Sequence, residues 1–380
     1  LNNGYGIVVT QRFGSHDRQQ MKQAIAGMAM LNITVVLLLT VLASVFLRPL
    51  MHFMNTPQPL FQLSHDYISV IILGIAATMG YNMFAAILRA MGNSRSPLYF
   101  LILSSVLNIV LDVLFVMVFE MGIRGAAIAT VLAQATSAIL CGTYVIRNYR
   151  EYLPGSEDFR VPGAMLGTLF STGIAMAMMS SLVDCGSVIF QRTNNVLGEI
   201  YITAYTAGRR LMMIMIQPLA TIAVAASSFV GQNWGARKPE RIQKGIRLTM
   251  FLELGWSVFA AIVIFLFGGL LIRFTTGTSD SEIVSLAVMS LRIHFAMFPF
   301  LGILFCIRNV MQAMGRKVAP VLSSCIELAM KILSASILIP KLGFVGTCIT
   351  EPVTWVLMTV FLMTVYMIIR KRIYASLAHQ

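Results

Sequence analysis

Apolar positions along this chain do not alternate with polar ones. They run continuously, rich in Leu, Met and Ala, and short basic breaks separate the runs. A helix needs ~20 apolar residues to cross hydrocarbon, whereas a membrane barrel needs strict alternation. The pattern therefore predicts helical spans at Ile25–Leu47, Tyr67–Leu88, Leu98–Phe119 and Gly125–Ile146. After a polar linker, Asn148–Pro162, it predicts Met165–Phe190, Tyr201–Ser227, Leu248–Ile272, Glu282–Ile307, Val321–Ile339 and Gly346–Ile369. A partial span ends near Thr10, so the expectation is ten full helices and a fragment of another.

The breaks repeat. Val230–Arg241, a basic stretch with Gln232, Trp234 and Gly235, is echoed by Gln11, Phe13 and Gly14, at an offset of 221 residues. Arg89-Ala90-Met91-Gly92 with Pro97 matches Gln312-Ala313-Met314-Gly315 with Pro320 at 223. Gly122 and Gly125 match Gly343 and Gly346 at 221. Glycines and prolines recurring at loop positions mean that one set of backbone turns is made twice. On this register Gly163–Thr221 has no counterpart in the first half. The expectation is an all-α integral membrane protein of two pseudo-symmetric six-helix lobes, from a twelve-helix parent whose first helix and most of the second would precede Leu1. Six is even, so the repeat is parallel, about an axis along the membrane normal. The expected boundaries are an N-terminal lobe at 1–147, a cytoplasmic linker at 148–162 and a C-terminal lobe at 163–380.

Composition agrees with a membrane reading. Hydrophobic residues make up 57% and charged residues only 11%, with a mean hydropathy of +0.80; soluble domains carry about a quarter charged residues. The net charge of +13 sits between the apolar runs, where Lys and Arg set topology, which argues against nucleic acid as a partner. With alternate crossings, 18 Lys and Arg fall on one side and 5 on the other. The rich side is expected to be cytoplasmic, and Trp234 to sit at its interface. The five cysteines are scattered, with no CxxC, and the five histidines show no metal spacing. A phosphate-binding GxxxxGK[ST] is absent and no enzyme signature is present.

GQNWGARK with its echo TQRFGSHD, RAMGNSRSP with QAMGRKVAP, and SVLNIVLDVLF together resemble the multidrug and toxic compound extrusion (MATE) family. AYTAGRRLMMIMIQPLATIAVAASSFVGQN looks like that family's eighth helix running into the following loop. The resemblance implies two six-helix lobes facing each other in a V, with a central cavity opened alternately to each side. It also implies export of organic, cationic, drug-like compounds by a monomer in the cell membrane, with Na⁺ or H⁺ as the coupling ion and no other cofactor. Coupling in one branch relies on an aspartate of the first helix, a segment this sequence does not carry. Another branch uses acidic residues of the seventh and tenth helices. Asp184 lies in the seventh, and the tenth holds no carboxylate beyond Glu282 at its edge.

Ionisable groups within spans are costly in lipid and are usually paired or functional. Asp112 lies in the fifth helix of the full count, with Asn108 one turn before it on the same face. Asp184 is a candidate Na⁺ or H⁺ site, with reach to the outer surface as the alternative. Arg210 is read as cavity-lining or as a partner for a carboxylate. Glu327 and Lys331, four apart, are expected to pair. Arg209, Arg292 and His294 also lie within spans, Glu351 near the outer end of the last, and Glu253 is expected to reach the interface. Two other readings stay open. One is a flippase for lipid-linked oligosaccharides, with Arg209, Arg210 and Arg292 meeting an anionic headgroup; the other is an inactive fragment.

Overall fold

The computed structural model describes the backbone of residues 1–53, 56–277 and 280–378, and side chains as far as Lys371. His379 lies outside the described residues. Within them all regular structure is helical. The helices are α1 (Asn2–Gly14), α2 (Arg18–Phe53), α3 (Gln58–Leu73), α4 (Ile75–Ala90), α5 (Arg95–Asp112), α6 (Gly122–Asn148) and α7 (Gly163–Asn194). Then come α8 (Glu199–Gly235), α9 (Pro239–Thr276), α10 (Ser281–Ala296), α11 (Phe298–Ala313), α12 (Val318–Leu333), α13 (Ile339–Leu342) and α14 (Phe344–Ala378).

Among the described residues eight helical stretches are long and apolar enough to cross a membrane. Two bent pairs, α3 with α4 at 41° and α10 with α11 at 49°, bring the number to ten. Each falls on a predicted span. The apolar exterior is what lipid requires. Ile33, Leu37, Val41 and Val45 form an i, i+4 row on α2, each at least 60% exposed, a surface that would be strongly unfavourable in water.

The duplication is visible in the backbone itself. Both bent spans end in the same turn, in which Gly92 and Gly315 take positive φ of 84° and 76°. Asn93 N donates to Leu88 O at 2.9 Å, and Arg316 N to Met311 O at 2.8 Å, the six-residue closure that a left-handed glycine permits. His16 and Arg237 share a φ near 55° (57° and 54°), as do Gly122 and Gly343 (58° and 55°). A π-helical turn at Val113–Val118 recurs at Ser334–Leu338. Such turns are rare and short, so their recurrence at the same offset is strong support for a repeat.

Two expectations need correction. Val230–Arg241 is mostly helix, because α8 runs on to Gly235. Val230 and Asn233 are buried there, and only Ala236–Lys238 form the break. The chain also divides into two compact units at Gly173/Ile174, within α7, rather than at the linker. The linker folds onto the first unit. Asp158 accepts from Gln19 Nε2 at 2.8 Å and from Gly155 N at 2.8 Å, and Arg18 pairs with Glu151 at 2.9 Å. The start of α7 joins the same core, where Met165 and Leu169 pack with Tyr5, Val9, Met28 and Ile87. The second unit has its own, larger core from α7 to α14, around Phe295, Phe298, Leu304 and Met358.

Close helix approach here depends on small residues. A Cβ on Gly4 would lie 2.6 Å from Thr172 O, which is backbone and cannot swing away. Gly4→Val is expected to destabilise the first unit by about 1–3 kcal/mol, the usual penalty of overpacking. The check is thermal unfolding of purified protein in detergent; an unchanged midpoint would contradict the packing described.

Candidate functional site

Charge inside the second unit converges on one cavity of about 220 Å³ between α7, α8, α11, α12 and α14. Glu327 and Lys331 stand on one face of α12 and pair at 2.9 Å, as predicted from their spacing. Lys331 is 4% exposed and also donates to Ser187 Oγ at 2.9 Å and Val183 O at 3.4 Å, both on α7. All three ammonium protons thus have acceptors, which a buried lysine needs.

Across the cavity, Glu351 of α14 meets two basic groups. Arg209 Nη1 lies 3.6 Å from its Oε1, and His294 Nε2 lies 3.6 Å from its Oε2. Tyr205, one turn from Arg209 on α8, accepts from the same guanidinium at 3.2 Å. His294 Nδ1 is 2.7 Å from Ser290 O. A carbonyl only accepts, so the Nδ1 proton is fixed there and Nε2 carries one only in the cationic ring. The His294–Glu351 contact is therefore an ion pair or not according to one proton. Trp355 packs edge-on to the imidazole at 5.8 Å between ring centres, an apolar wall beside the charge.

The other candidates lie elsewhere. Asn108 and Asp112 share a face of α5 in the first unit, just before the π-helical turn. Each keeps an enclosed polar atom (Asn108 Nδ2, Asp112 Oδ1) without a hydrogen-bond partner among the described residues. Asp184 is exposed on α7 and makes no ion pair among the described residues, while Val183 and Ser187 on that helix face the cavity. Arg210 points away from its neighbour Arg209 and lines a separate hollow with Thr203, Thr206 and Thr276. Arg292 is exposed and rests on Phe265, its carbon 5.8 Å from the ring centre. Arg209, Arg210 and Arg292 thus do not converge on a common anion.

Glu253 corrects a prediction. Instead of reaching an interface it is fully buried in α9, with neither carboxylate oxygen partnered among the described residues. Its face of α9 is turned into the helix packing, as shown by the 3.2 Å from its Cβ to a Cβ built on Gly302 of α11. Arg209, His294, Arg308 and Glu351 come from four helices far apart in sequence. An ionisable group within an apolar span signals three of them, while Arg308 falls one residue beyond the predicted span Glu282–Ile307 and enters it only because α11 continues to Ala313.

A bundle of lipid-facing helices whose inward charges surround a cavity defines a multi-pass membrane transport protein. Comparison with known proteins names the family. The MatE family model matches residues 1–114 and 175–337, and the chain belongs to that family. It is 29% identical over 322 residues to the probable multidrug resistance protein YpnP of Bacillus subtilis, covering 83% of this chain and 70% of that one. It is 23% identical over 353 residues to an FAD transporter of Shewanella oneidensis, covering 91% of this chain and 77% of that one. The fold matches a crystal structure of MATE in the bent conformation with a TM-score of 0.90, at 20% identity, over all of this chain and 84% of that one. The relatives are transporters rather than enzymes.

Removing one member of a buried pair strands the other charge, at about 3–5 kcal/mol, whereas removing both is far milder. Lys331→Met is therefore expected to lower stability by roughly 3 kcal/mol or more, and Glu327→Gln with Lys331→Met to restore most of it. A double-mutant cycle on thermal unfolding measures this; additive losses would show that the pair is not coupled.

Proposed function

We propose that this protein is a secondary active exporter of organic compounds, driven by Na⁺ or H⁺ exchange, with the second unit's cavity as a cargo site. The observation that carries the reading is the Glu351 constellation, where one carboxylate is shared between Arg209 and His294 at 3.6 Å each. A proton or Na⁺ reaching Glu351 competes with Arg209 for it, and a proton on His294 Nε2 strengthens the opposite pairing. Ion arrival and departure thus reset which groups in the cavity are free to hold cargo, and this gives a physical route to exchange. Asp112 with Asn108 is a second coupling position in the first unit, supported by polar atoms that have no hydrogen-bond partner among the described residues. The relatives bear on cargo only broadly, one being described as a multidrug resistance protein and another as an FAD transporter.

Organic-ion export predicts that proteoliposomes move ethidium or another fluorescent compound when a Na⁺ or H⁺ gradient is imposed. Glu351→Gln keeps the shape and removes the charge, and it should cut gradient-driven flux at least tenfold, as loss of ~1.4 kcal/mol or more of coupling would. Absence of flux under both gradients would defeat the proposal. Glu351→Gln flux equal to wild type would remove Glu351 from it.

A further inference from the structure

Among the described residues three cations line the cavity, and two of them are ion-paired with a carboxylate while one is not. Lys331 holds Glu327 and Arg209 holds Glu351. Arg308 of α11 has no carboxylate within ion-pair distance among the described residues. Its Nη2 donates to Ser323 Oγ at 3.0 Å and lies 3.4 Å from Met358 Sδ, and its Nε is enclosed without a hydrogen-bond partner among the described residues. Ser323 spends its own proton on Pro320 O at 2.6 Å, so the hydroxyl meets the guanidinium with a lone pair only. The arginine is held in place without an ion pair of its own: the carboxylate that acts on it through space, Glu327, is already paired with Lys331. A cation within a membrane span that lacks a counter-charge is far more costly than a paired one.

The repeat shows that the fold does not need this charge. The turns closed by Gly92 and Gly315 align α4 with α11, and in that register Arg308 falls on Ala85. Ala85 is fully buried in the first unit. The same bent helix therefore packs with a methyl group in one unit and a guanidinium in the other. A structural requirement common to both units does not account for the arginine.

We propose that Arg308 is the seat of an anionic oxygen group, a carboxylate or a phosphate, which gives it a direct ion pair when the cavity is filled. The planar guanidinium fork matches either group with two parallel hydrogen bonds. Met212, Leu301, Phe305 and Trp355 line the same cavity and provide an apolar bed for the body of such a molecule. The ligand class is an amphiphile with an anionic head, either a free organic acid or the headgroup of an anionic lipid. This deepens the reading of the cavity as a cargo site and rests on it only where transport is concerned, since binding is measured separately.

The test uses purified protein in phosphatidylcholine nanodiscs, with fluorescein as an aromatic carboxylate probe and ethidium as a cationic one, both read by anisotropy. Fluorescein is expected to bind, Arg308→Gln to weaken it at least tenfold, and Arg308→Lys to fall between, with ethidium unaffected by either. In wild type, bound fluorescein is expected to protect Arg308 from phenylglyoxal, mapped by mass spectrometry, so the proposal stays testable even if Arg308→Gln does not fold. Adding phosphatidylglycerol separates the sources. Competition with fluorescein that depends on Arg308 identifies a lipid phosphate as a ligand, and no competition identifies a free acid; both support the anion seat. Fluorescein binding that ignores Arg308→Gln, no protection of Arg308, or binding of ethidium alone would overturn it. Fluorescein binding dependent on Arg308 without flux in proteoliposomes would leave the seat standing and refute the transport reading.

Discussion

Lipid offers no hydrogen-bond partner and no counter-ion, and much of the polar chemistry of this molecule is arranged around that constraint. Backbone groups are satisfied within helices, and exposed surface is given over to rows such as Ile33, Leu37, Val41 and Val45. Several charges turn inward and find each other, as Glu327 with Lys331 and Glu351 with Arg209 and His294. An inward charge that finds no partner stands out against this arrangement. Arg308 lines a cavity of about 220 Å³, whereas Glu253 is enclosed with neither oxygen partnered among the described residues.

One backbone plan serves two different chemistries. The paired turns at Gly92 and Gly315, at Gly122 and Gly343, and at His16 and Arg237 fix where helices end in both units. The π-helical turns at Val113–Val118 and Ser334–Leu338 displace the same part of the equivalent helices. On that shared frame the first unit has Ala85 and Thr130 where the second has Arg308 and Glu351. The first unit instead carries Asn108 and Asp112. Duplication therefore supplied the scaffold, and divergence at a few inward positions separated the polar sites. On the proposed reading, coupling ion and cargo in the second unit meet in a single cavity, so that one competes with the other without a long relay between distant sites.

Span number, the spans' positions along the chain, and the repeat were all legible in the sequence, while the bends in two of the spans were not. Continuous apolar runs leave a helix as the only solution in lipid, and left-handed turns demand glycine at fixed places. The Glu327–Lys331 pair was legible for a similar reason, because both residues lie on one helix and four positions always face each other. Tertiary structure alone decided the rest. Arg209, His294, Arg308 and Glu351 come from α8, α10, α11 and α14, and no spacing rule reaches across four helices. Arg209 rather than Arg210 enters the cavity because adjacent residues on a helix point about 100° apart, and packing selects which one faces inward. Glu253 is enclosed because its side of α9 lies against Gly302 of α11, where the missing side chain lets the helices close. The first unit takes in the start of α7 because Met165 and Leu169 belong to its core. Local sequence determined where the helices are and where they turn, since those depend on neighbours along the chain; which charges meet was decided by contacts between helices.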